Sequence, residues 1–121
     1  MLLINLVVVL LVHWIADFCL QTSWQANNKY KDIKALSGHC VIYTIFITVM
    51  FTVMSGVWYI GLIVGLLNGA LHMLIDGITS KITHKLYELN HYHNFFCVIG
   101  FDQFLHLSIL ITSLLYLKGL L

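Results

Sequence analysis

Charged side chains are what this sequence has least of. Asp, Glu, Lys and Arg together supply only 9% of the 121 residues, and there is no arginine and no proline at all. Ordinary soluble domains carry about 25% charged residues. With 60% hydrophobic residues and a mean hydropathy of +0.93, a water-soluble domain of this length could not cover its own surface. Cys19, Cys40 and Cys97 form no CxxC or other ligand spacing, so they read as small apolar residues and not as disulfides or metal ligands. Walker loops, dinucleotide fingerprints, nucleophile elbows and basic nucleic-acid patches are all missing, and no nucleic-acid partner is expected.

What the chain does have is long apolar runs. Residues 2–20, 35–55, 58–79 and 95–117 each approach the roughly 20 residues that span a bilayer. The first run lacks the basic flank and small-residue cleavage site of a signal peptide, so a retained helix is expected. The expectation is an all-α polytopic membrane protein: residues 1–121 as a single transmembrane domain, a four-helix transmembrane bundle. A short amphipathic interfacial helix is expected between spans three and four, over "SKITHKLYELNHYHN". Five of the six lysines, Lys29, Lys31, Lys34, Lys81 and Lys85, fall on the side of the first loop, against Lys118 on the other. By the positive-inside rule that side is cytoplasmic. This predicts a multi-pass protein of the inner (cytoplasmic) membrane with both termini outside the cytoplasm.

Against this apolar background the ionisable residues are conspicuous. Three spans carry a His/Asp pair one helical turn apart: His13/Asp17, His72/Asp76 and, reversed, Asp102/His106. His39 opens span two. Gly61, Gly65 and Gly69 recur every four residues on a face that continues to His72 and Asp76, which marks that face as packed against another helix. Threading the four spans alternately puts all seven groups in the same half of the bilayer. A charged Asp near a helix centre costs about 2.5–3.5 kcal/mol even on the lenient insertion scale, and no lysine lies within a span to offset three of them. Protons or cations must do so. His13, Asp17, His39, His72, Asp76, Asp102 and His106 are therefore candidate ligands for one or two divalent metal ions (zinc, manganese or magnesium). Asp17, Asp76, Asp102 and His106 are the candidate catalytic groups among them. Gln21 and Gln103, beside the same face, are expected to orient ligands or contact substrate. Lys81 and Lys85 are expected near an anionic headgroup, and His84, His91 and His93 read as interfacial.

The blocks "HWIADFCLQTSWQANNK", "LSGH", "LHMLID" and "FDQFLHL" resemble the short bacterial and phage membrane proteins catalogued as domain-of-unknown-function 3307. His13, Asp17, Phe18, Leu20, Gln21 and Thr22 match the first block of that pattern and His39 the second. His72, Ile75 and Asp76 match the third, and Asp102, Gln103 and His106 the fourth. In that family a lysine is expected about one turn after the Ile-Asp, whereas here "DGITSK" delays it to Lys81. In layout the family is distantly similar to membrane-bound metal-dependent hydrolases. The resemblance implies a function class without naming a substrate. A hydrolase acting on a phosphoester at the leaflet surface is the leading expectation, with membrane lipid as partner. Its rivals are an ion or proton transporter and a non-enzymatic, phage-type modulator of a host membrane complex, in which the polar pairs serve as interhelical hydrogen bonds. A homodimer or a host membrane protein would be the further partners.

Overall fold

The opening apolar run forms α1, Leu2–Trp14, and continues as one π-helical turn over Ile15–Cys19. The turn is defined by Leu20 N–H donating to the Ile15 carbonyl, five residues back, at 3.0 Å. The computed structural model describes residues 1–121 and contains helices only. Short α2, Ser23–Asn28, starts at a capping box: Thr22 Oγ1 accepts from Gln25 N–H, and Gln25 Oε1 accepts from Thr22 N–H. Asp32 caps α3, Ile33–Ser55, by accepting from Lys34 N–H at 2.8 Å. Gly56 ends α3 in the left-handed region, φ 70°, and a two-residue link leads into α4, Trp58–Glu88. Asn90, φ 56°, turns the chain into α5, Tyr92–Leu117. Leu2–Cys19, Ile33–Ser55, Trp58–Glu88 and Tyr92–Leu117 are each long and apolar enough to cross a membrane.

One expected element differs. There is no separate interfacial helix between spans three and four: α4 runs unbroken through Thr79 to Glu88. No glycine or proline falls between Thr79 and Glu88, so nothing in the backbone stops the helix. At 1.5 Å per residue its 31 residues reach about 46 Å, well beyond the roughly 30 Å hydrocarbon core. The last turns of α4 thus form the amphipathic projection. The short helix of the molecule lies instead in the first loop, as α2.

Polarity runs from inside to outside. Val9, Ile47, Phe51, Leu110 and Leu114 are fully buried and fill the half of the bundle remote from the first loop. The other half buries His13, Asp17, His39, His72, Asp76, Asp102 and His106, while Ile63, Leu67, Phe101 and Phe104 point outward. Helices α3 and α4 pack almost backbone to backbone. A Cβ at Gly61 would fall 2.5 Å from the Thr52 nitrogen, one at Gly65 2.8 Å from Thr48 Cα, and one at Gly69 onto Thr44 Oγ1. This close approach continues toward the first loop and brings His39 against His72 and Asp76.

Candidate metal centre

His39 on α3, His72 and Asp76 on α4, and Asp17 in the π turn converge on one point. His39 Nε2 lies 3.1 Å from Asp17 Oδ1, 3.4 Å from Asp76 Oδ2 and 3.0 Å from His72 Nε2. His72 Nε2 lies 3.4 Å from Asp17 Oδ1 and 3.7 Å from Asp76 Oδ2. An imidazole nitrogen carries at most one hydrogen, so His39 Nε2 cannot donate to all three neighbours. A tetrahedral ion with ligands at about 2.0–2.1 Å would hold them about 3.3–3.4 Å apart, and the five separations fall around that value. The donor set fits a cation.

A second group shares a member with the first. His106 Nε2 is 3.1 Å from Asp76 Oδ1 and 3.5 Å from Asp102 Oδ2. Asp17, His39, His72 and Asp76 could thus hold one ion, and Asp76, Asp102 and His106 another, with the two oxygens of Asp76 divided between them. Every residue of both groups is buried. Tyr43 fixes the centre from the apolar side by stacking on His72 at 3.8 Å with the rings 9° from parallel. Thr79 Oγ1 donates to Asp102 Oδ1 at 2.6 Å.

His13 stands apart from both groups. The π turn between it and Asp17 breaks the α-helical phase, and Asp17 swings toward His39 and His72, leaving its Oδ2 3.8 Å from His13 Nε2. His13 Nε2 meets Gln103 Oε1 at 2.9 Å instead. The Gln103 amide then donates to Asp17 Oδ2 and Asp102 Oδ2, both at 3.0 Å. Gln103 therefore clamps together the two carboxylates contributed by the π turn and α5.

The cation that the sequence lacked within its spans comes from the first loop. Lys29, just past α2, reaches in and places Nζ 2.7 Å from Asp76 Oδ2. A local signal was present: the capping box at Thr22 folds the loop into a short helix, and the first lysine follows it directly. Lys81 and Lys85 are exposed and do not line the cavity at the site. Because α4 stays helical, Ser80, Thr83, His84 and Tyr87 turn toward the cavity while residues 81 and 85 turn away. His84 pairs with Glu88 and stacks on Tyr30, and His91 and His93 are exposed. None of the three joins the cluster.

A cavity of about 450 Å³ opens over this centre on the first-loop side, with Asp17, Asp102, Gln103, Gln21 and Lys29 among its walls. Four helices compatible with a multi-pass membrane protein, enclosing buried His/Asp groups that could hold metal, define the class of molecule. Within that class, the family model described as "Protein of unknown function (DUF3307)" matches residues 5–119. The chain belongs to that family. Neither the curated proteins nor the solved structures yield a match.

Proposed function

We propose that the protein is a metal-dependent hydrolase acting on a phosphoester at the leaflet surface on its first-loop side, the cytoplasmic side by its lysines. One observation carries this reading. Asp76 is shared between a four-donor group and a three-donor group, and Asp102 of the smaller group lines the cavity. Four protein donors make a closed site, whereas three leave a position open, as catalytic sites do. Two imidazoles among the four donors suit zinc better than magnesium.

When bound, divalent cations would polarise a phosphoryl oxygen and activate water. The chain's own residues supply the rest. Asp102, held by Thr79 and Gln103, is positioned on the cavity wall to accept a proton from water. His106 Nε2, between Asp76 and Asp102, would complete the three-donor group with them. Charge supports a phosphate substrate. Asp17, Asp76 and Asp102 bring three negative charges and Lys29 one positive, so two divalent cations would leave two positive charges, which a phosphate monoester dianion balances.

The His39–His72–His106 chain, with contacts of 3.0 and 3.2 Å, is the feature that favours a proton relay. Its two ends meet Asp17 and Asp102, which line one and the same cavity, and the half of the bundle beyond holds Val9, Ile47, Phe51, Leu110 and Leu114, so it joins no two sides. Metal analysis of the purified chain by mass spectrometry tests the hydrolase reading. Wild type is expected to carry one or two equivalents, and the double variant Asp76→Asn/Asp102→Asn is expected to lose them. No metal in either protein would sink the proposal.

A further inference from the structure

Four buried side-chain atoms have no hydrogen-bond partner, His13 Nδ1, Gln21 Nε2, Asn68 Oδ1 and Ser80 Oγ, and two of them belong to residues of the cavity wall, Ser80 and Gln21. Ser80 is 8% exposed. A buried donor left unpaired is costly, so each of these side chains gains by turning its hydrogen to an acceptor bound in the cavity. Lys29 lines the same wall. Its ammonium has three hydrogens and one bond, to Asp76. A hydroxyl, an amide N–H and an ammonium together offer hydrogens, so the matching ligand presents oxygen acceptors and negative charge.

The cavity has a second, apolar side, formed by Phe18 of the π turn with Phe95 and Ile99 of α5. Phe18 is 48% exposed, so a large part of its ring is free to meet whatever fills the cavity. A water-soluble phosphoester has no use for that wall, whereas an amphiphile does.

We propose that the cavity is the binding site of a lipid phosphate monoester. Ser80, Gln21 and Lys29 donate to the phosphate oxygens, and the hydrocarbon chain leaves past Phe18, Phe95 and Ile99 into the bilayer. The proposal rests on the hydrolase reading in one respect: cations at the His/Asp groups offset Asp17 and Asp102, which would otherwise repel the headgroup.

The test is equilibrium binding to the full chain in non-ionic detergent, with metal content measured on the same samples. The probes are phosphatidic acid, phosphatidylcholine and inorganic phosphate. Phosphatidic acid is expected to bind more tightly than either of the others. Ser80→Ala and Gln21→Met should each weaken it about tenfold or more, the loss expected for a hydrogen bond to a charged group, without changing metal content. Phe18→Ala should weaken phosphatidic acid and leave inorganic phosphate unchanged. Circular dichroism confirms that each variant is folded. Metal-loaded protein that binds phosphatidic acid no better than phosphatidylcholine, or that ignores both polar substitutions, overturns this inference and leaves the hydrolase reading standing. Inorganic phosphate binding as tightly as phosphatidic acid overturns the lipid assignment. Wild type without metal overturns the hydrolase reading itself, and this inference with it.

Discussion

Replacing Lys29 by methionine keeps much of the side chain's length but removes the ammonium 2.7 Å from Asp76 Oδ2. At that separation, with an effective dielectric of about 20, the Coulomb attraction is about 6 kcal/mol before desolvation is subtracted. Removing one partner of a buried pair typically costs about 3–5 kcal/mol. The Asp76 side chain is 2% exposed but that of Lys29 is 20%, which places the loss at the low end, about 3 kcal/mol. Metal-free Lys29→Met should therefore unfold at a lower denaturant fraction than metal-free wild type. Adding zinc or manganese changes the comparison, because Lys29 and the ion compete for the same carboxylate oxygen. The variant should bind the ion at least about tenfold more tightly, since a cation beside the site has been removed. Ion in excess stabilises both proteins, and a tenfold tighter Kd in the variant narrows the gap by about 1.4 kcal/mol, roughly half of the deficit. The assay is unfolding by sodium dodecyl sulfate in mixed micelles, followed by circular dichroism with and without ion. A deficit of equal size in both conditions would refute the idea that Lys29 and metal share Asp76.

Three further predictions use other parts of the structure. A Cβ at Gly65 would lie 2.8 Å from Thr48 Cα, so Gly65→Ala should force α3 and α4 apart and cost about 2 kcal/mol; a thermal midpoint equal to wild type would contradict the close packing. Asp102→Asn should stay folded and lose only the ion of the three-donor group, whereas His39→Ala should empty the four-donor group. Metal stoichiometry by mass spectrometry reads the difference, and identical losses would argue against two separable groups. In a cysteine-free background, Lys118→Cys should react with a membrane-impermeant maleimide on intact cells and Lys81→Cys only after permeabilisation; the reverse pattern would overturn the lysine-based orientation.

The four long helices and the convergence of His and Asp groups on one half of the bundle were legible because both rest on simple periodicities. Apolar length marks a span, and a four-residue spacing puts His72 over Asp76 and Asp102 under His106. Three features escaped for definable reasons. The π turn changes the helical phase within five residues, too few for any hydrophobic pattern to register. With that turn, His13 Nε2 meets Gln103 while Asp17 Oδ1 turns to His39 and His72. Lys29 escaped because it lies in a loop, and rules for spans do not consider a side chain that reaches back in. Residues 80–94 read as a separate helix because they turn polar, yet polarity marks the membrane surface and not the end of a helix, and α4 continues to Glu88. The same continuity carries Lys81 and Lys85 away from the cavity.

The glycine–threonine contact between α3 and α4 also bears on how the molecule is made. Those two helices are neighbours in sequence, joined at Gly56, and can form a hairpin as soon as they enter the bilayer. The hairpin alone presents His39, His72 and Asp76 as an unfinished half-site. Asp17 arrives on the π turn after α1 and Asp102 on α5, near opposite ends of the chain, and each is costly in lipid until it docks, by about 2.5–3.5 kcal/mol. The cluster thus makes assembly of the outer helices energetically favourable, because each buries its carboxylate there. A chain in which either outer helix has failed to assemble keeps an exposed carboxylate, the kind of defect by which membrane quality control can recognise an incomplete bundle.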